Sequence, residues 1–131
     1  MTIKNTSGNN LEVALNKAKT SYKFEFDENK IKKVKINVKA RSNLEEVDLV
    51  EEYFTPKERK NLEKQMSDII KKQIEGVINK AKKLDIDFFN FEENILNKKH
   101  PYKYEKMKNN IKNIWNEAEI EIKIEPEIER N

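Results

Sequence analysis

The chain has 131 residues, no cysteine, and a formal net charge of +3 from 27 basic and 24 acidic side chains. Without cysteine there are no disulfides, thiolate metal ligands or cysteine nucleophiles, and two glycines, Gly8 and Gly76, exclude a Walker loop or a dinucleotide-binding glycine loop. A length of one domain with 36% hydrophobic and 39% charged residues predicts a real core under a heavily solvated surface.

Residues 1–10, "MTIKNTSGNN", lack the apolar stretch of a signal peptide and read as a flexible leader or an excision boundary. No apolar run approaches the ~18 residues of a membrane span. A single domain is expected over 11–131. It opens on strands. "LEVAL" alternates with Leu11, Val13 and Leu15 on one side, and "SYKFEF" alternates with Tyr22, Phe24 and Phe26 together. After the turn-forming "DENK", "IKKVKINVKAR" places Val34, Ile36, Val38 and Ala40 on one face and Lys33, Lys35, Lys39 and Arg41 on the other. That is a hairpin with one wet face. "SNLEEVDLVEEYF" holds either a short strand or an irregular connection.

The period then changes. Thr55, Pro56 and Glu58 match an N-cap, a first-turn proline and a capping-box acid. Behind them Leu62, Met66, Ile69, Ile70, Val77, Ile78, Ala81 and Leu84 recur at helical spacing, with Ile74 beside them. Pro56 to Leu84 therefore reads as one amphipathic helix roughly 40 Å long, packed on the sheet. The stripe lacks the sustained heptads of a coiled coil. Residues 85–101, "DIDFFNFEENILNKKHP", make the corner into a second helix that starts at Pro101, with Tyr104, Met107, Ile111, Ile114 and Trp115 on one side. "AEIEIKIEPEI" returns to period two, with Ala118, Ile120, Ile122 and Ile124 facing in. Pro126 is expected to weaken or end that strand. The expected fold class is α+β: an antiparallel sheet of about four strands, with one long helix and a shorter second helix on one face.

Few side chains offer chemistry. His100 is the single histidine, so a zinc site would need it plus several carboxylates. Ser7, Ser21, Ser42 and Ser67 lie in no nucleophile-elbow context. His100 directly precedes Pro101 and reads as a helix-entry residue. Asp85 and Asp87 form a D-x-D pair, but Phe89 stands where a calcium loop needs its third ligand, so they read as helix-end caps. Phe88, Phe89 and Phe91 lie among acids that would repel a phosphate backbone, and they read as rings to bury. The three arginines (Arg41, Arg59, Arg130) are far apart, which speaks against nucleic acid. No metal, cofactor or catalytic set is expected. The Lys33, Lys35, Lys39 and Arg41 face leaves one alternative open, a lysine-rich module for an anionic polymer or surface.

A lysine-rich helix ending in an Asp, then "DFFNF", "KKHP", an aromatic three residues past the proline, and a Trp before "EIEIKIEPEIE" together resemble the C-terminal domain of the Ger(x)C spore germination proteins. These are the lipoprotein C subunits of nutrient germinant receptors in spore-forming Firmicutes. Asp87, Phe91, Pro101 and Trp115 occupy matching places, and Tyr104 stands where the family often has Trp. Asn90 replaces a preferred glycine, and asparagine is the next-best tolerated residue at positive φ. The resemblance implies a non-enzymatic interaction domain whose partners are the membrane-embedded A and B receptor subunits. It also implies an N-terminal lipid anchor on the outer surface of the spore inner membrane.

Overall fold

Among the described residues of the computed structural model, seven elements follow one another: β1 (Thr2–Lys4), β2 (Asn10–Asp27), β3 (Lys30–Leu44), α1 (Pro56–Leu84), α2 (Asn97–Lys99), α3 (Pro101–Met107) and β4 (Glu119–Arg130). The structure describes residues 1–8, 10–28, 30–44, 55–84, 95–107 and 118–130. The strands form one sheet in the order β1-β2-β3-β4, and the fold is α+β, as the change of period predicts.

The sheet is mixed, where an antiparallel one was expected. β1 runs antiparallel to β2, with Ile3 opposite Leu11. Along β4, however, residue numbers rise together with those of β3. Asn37 meets Glu125, and Arg41 meets Glu127 and Glu129, which is the register of parallel strands. Alternation has the same period in either direction, so it cannot report orientation. The connection decides it, and a parallel neighbour needs a crossover of a dozen or more residues. The 29-residue α1 is long enough to supply one.

The chain divides into two compact units. One comprises Met1–Ser21, Asn37–Gln73 and Lys123–Asn131. Its core takes Ile3, Leu11, Val13, Val38 and Ala40 from the first three strands, Leu62, Met66 and Ile70 from α1, and Ile128 from β4. The i, i+4, i+8 spacing on α1 puts its three residues on one stripe. Leu62 and Met66 are fully buried, so truncating either to Ala would cost about 2–5 kcal/mol. The Ser42 hydroxyl is buried too and donates to Met66 Sδ at 2.9 Å.

The start of α1 is built as the sequence indicates, with one difference. Thr55 Oγ1 accepts the Glu58 amide at 3.1 Å, and the Thr55 carbonyl accepts the Arg59 amide at 2.9 Å. The Glu58 carboxylate, however, is buried and accepts the Thr6 amide at 3.0 Å. The capping acid thus ties the helix to the turn between β1 and β2. Further along α1, Gln65 meets the Lys4 backbone from both sides: its Oε1 accepts the Lys4 amide at 2.8 Å and its Nε2 donates to the Lys4 carbonyl at 2.5 Å. Glu63 Oε2 accepts the Ile128 amide of β4 at 3.1 Å.

These contacts correct the reading of residues 1–10 as a flexible leader. Thr2–Lys4 are a strand, Ile3 is 2% exposed, and Gly8, at φ +84, lets the chain turn back with its amide on the Asn5 carbonyl. Three residues are too few to show alternation, which is why the strand left no pattern. Leu15 is a second correction. Leu11 and Val13 are buried, but Leu15 is 49% exposed, and the inward row resumes on even numbers with Tyr22 and Phe24. A one-residue change of step within a strand exchanges its faces.

The other unit comprises Tyr22–Ile36 and Ile74–Ile122. Its buried residues are Phe24, Val34, Ile36, Ile78, Ala81, Leu96 and Ala118. Val77 and Leu84, expected on the α1 stripe, are exposed. The expected turn at "DENK" is present, with Glu28 at φ 54. Pro126 lies inside β4 without ending it. Among the described strands β4 stands at the edge of the sheet, where a missing amide donor is tolerated. The reading of "SNLEEVDLVEEYF" falls mostly on residues 45–54, outside the described residues.

Two stability measurements check these assignments. Glu28→Asn should raise the unfolding free energy by a few tenths to about 1 kcal/mol, because asparagine accepts positive φ more readily. A lower denaturation midpoint would contradict the turn geometry. Glu58→Ala should lower it by about 1–3 kcal/mol, since the Thr6 amide loses its acceptor, and Glu58→Gln, which keeps an acceptor oxygen, should recover part of the loss.

Candidate interaction surface

The proline decides the geometry of the corner. It disfavours helical backbone at the residue before it, and His100 sits at φ −138, ψ 64, outside the helical region. The His100 amide still donates to the Leu96 carbonyl at 2.8 Å, while its own carbonyl accepts the Tyr104 amide at 2.8 Å. The residue therefore ends α2 and begins α3. Its ring stands edge-on to two phenylalanines of β2, 5.8 Å from Phe24 and 5.0 Å from Phe26 between centroids. These are favourable tilted arrangements for aromatic rings. Lys103 places its ammonium 4.9 Å from the Phe26 centroid and donates to the Glu28 carbonyl at 3.1 Å. Lys99 Nζ donates to the Tyr22 carbonyl, and burial pushes the Tyr22 phenol above its ordinary pKa. His100, the helix-entry residue of the sequence, is an aromatic wedge against β2.

The wet face of the sheet carries the second arrangement. In one unit Lys33 pairs with Glu121 at 2.6 Å and Lys35 with Glu25 at 3.2 Å. The hydrogen bond that the Lys33 ammonium donates to Glu121 holds it above the usual lysine pKa. In the other unit Arg41 lies 3.6 Å from both Glu127 and Glu129, and Asn37 Nδ2 donates to Glu125 at 3.2 Å. Cross-strand pairs this exposed to solvent are individually weak and are screened by salt. Three of the four cations that suggested a polyanion face are thus engaged with carboxylates of neighbouring strands.

Lys39 is different. With Lys17, Lys19 and Arg41 it lines a cleft of about 500 Å³ that Glu125 and Glu127 close on the β4 side. Among the described residues Lys17, Lys19 and Lys39 have no ion pair. Sequence reading passed over Lys17 and Lys19, because a stretch exposed on both faces has no alternation to mark it. It also missed the pairing of His100 with Phe24 and Phe26, which joins residues far apart in the chain.

Of the residues that carried the family resemblance, Pro101 begins α3 and Tyr104 is half-buried on it. Asp87, Phe91 and Trp115 lie outside the described residues, as do Asp85, Phe88, Phe89, Ile111 and Ile114. Among the described residues no three His, Cys, Asp or Glu side chains gather as metal ligands, and no helix is long and apolar enough to cross a membrane.

A comparison with curated proteins found no match. Among solved structures, one described as "Crystal Structure of the GerBC protein" superposes with a TM-score of 0.78 at 20% identity, over 98% of this chain and 39% of that one. The likeness is one of fold, and the chain spans about two-fifths of that protein's length. The family model for "Spore germination B3/ GerAC like, C-terminal" matches residues 1–131. With the whole chain matched, it belongs to the spore germination B3/GerAC-like C-terminal family.

Proposed function

We propose that this is a non-enzymatic interaction domain of a germinant-receptor C-subunit lipoprotein, acting in receptor assembly or in passing on the nutrient signal. The match of the family model across residues 1–131 carries the reading, and the fold shared with the GerBC structure supports it. In this reading a lipid anchor holds the full-length protein on the outer surface of the spore inner membrane, and its partners are the membrane-embedded A and B subunits. His100 needs no reaction to explain it, since Phe24 and Phe26 account for its place.

The outer face of α1 is the proposed contact with those subunits. Lys71, Lys72 and Lys83 are exposed on α1.

Two observations test the reading. The gene should carry a lipobox upstream and stand beside genes for two multi-spanning membrane proteins; finding neither would sink it. Co-purification with those membrane subunits should drop roughly tenfold in a Lys71→Glu, Lys72→Glu, Lys83→Glu variant that keeps its circular dichroism. Full retention would remove α1 as the contact.

A further inference from the structure

The edges of this sheet are treated unequally. β1 has its Lys4 backbone answered on both sides by Gln65, and β4 has its Ile128 amide answered by Glu63. β2 pairs with β1 over Asn10–Glu12, and the Val13 amide reaches the Met1 carbonyl at 2.8 Å. At the far end of β2, Lys99 takes the Tyr22 carbonyl. Between these points no strand among the described residues lies on the outer side of β2. Leu15 to Ser21 are all exposed, on both faces of the strand.

An extended stretch that, among the described residues, has no cover on either face and no neighbour on one side is a template for another strand. Lysines along an edge commonly discourage unwanted pairing, and Lys17 and Lys19 would serve that purpose against a neutral or basic strand. Their setting adds something more. Elsewhere on this wet face the strands meet through opposite charges, as at Lys33 with Glu121, Lys35 with Glu25, and Arg41 with Glu127. At the cleft, Lys17 and Lys19 of β2 come together with Lys39 of β3, so neighbouring strands present like charge. Like charges facing across strands are destabilising. Both carboxylates in the cleft are already engaged, Glu127 by Arg41 and Glu125 by Asn37.

We propose that the open edge of β2 at Leu15–Ser21 takes an extended acidic segment of a partner protein as an added strand. Main-chain hydrogen bonds hold the segment to β2, and its outward carboxylates meet Lys17 and Lys19, with Lys39 within reach of a longer side chain. The added strand extends the charge alternation of the wet face by one row and turns a like-charge cluster into pairs. Strand addition of this kind draws affinity from the backbone and selectivity from alternate side chains. A lipid surface fits less well, because it has no main-chain donors and acceptors with which to complete a strand edge.

The test uses the 131-residue chain and a synthetic peptide alternating Glu with Val, followed by amide hydrogen exchange. The peptide should bind saturably and slow exchange selectively at Leu15–Ser21. Lys17→Glu with Lys19→Glu should weaken binding roughly tenfold. N-methylation of alternate peptide residues, which leaves the protein untouched, should abolish the protection by removing ladder donors. Absence of protection at Leu15–Ser21 would overturn the proposal. So would indifference to the lysine changes, or binding of heparin or phosphatidylglycerol vesicles with equal strength, since each would reduce the edge to bare charge attraction.

Discussion

The parallel pairing of β4 with β3 is the constraint from which the remaining architecture follows. A strand that runs the same way as its neighbour must be reached by a connection that first carries the chain back. Fifteen residues of β3 advance roughly 50 Å, and the 29 residues of α1 span roughly 40 Å, so one helix can make nearly the whole return. The helix must then have one apolar stripe, supplied by Leu62, Met66 and Ile70 in one unit and by Ile78 and Ala81 in the other. It must also begin at a fixed point, which Thr55 and Glu58 set. Glu58, Glu63 and Gln65 lie close together on α1 and serve three separate stretches of strand or turn backbone. A change in where α1 starts would misplace all three.

What could be read in advance was whatever repeats over several residues. Val34 to Ala40 alternate without a break, and that strand is as expected. The cap at Thr55 and the turn at Glu28 rest on local chemistry and were equally legible. Features that depend on one residue or on a distant partner were not. Leu15 continues the alternation of Leu11 and Val13, yet it is exposed, in a stretch from Leu15 to Ser21 that is open on both faces. Ile3 sits in a strand of three residues, below the length at which a pattern exists. Pro126 was expected to weaken or end its strand, but only the position of β4 at the edge shows why it is tolerated.

The candidate surface shows the same division. His100 followed by Pro101 announced a helix entry, and the backbone at His100 is what a residue before proline requires. The two rings that receive its side chain come from β2, more than seventy positions earlier, so no local pattern could name them. The formal charge of +3 likewise hid a sorted surface. Net charge sums over positions, whereas Lys33, Lys35 and Arg41 are each matched to a particular carboxylate by strand register. A one-residue shift of that register would move their ammonium and guanidinium groups to the other face.

Sorting charge by register has a consequence for where this domain can recognise anything. Lysines already paired in a cross-strand ladder must break those pairs to hold a new anion, so the ladder is a poor binding surface despite its lysine content. Places where register leaves a group unmatched carry no such cost. On the wet face that place is the cleft of Lys17, Lys19 and Lys39, and it adjoins the stretch of β2 whose outer side lacks a described strand. The two shortages coincide because they share a cause. Among the described residues no strand on the outer side of β2 supplies ladder partners and carboxylates as β4 supplies Glu121, Glu127 and Glu129 to β3.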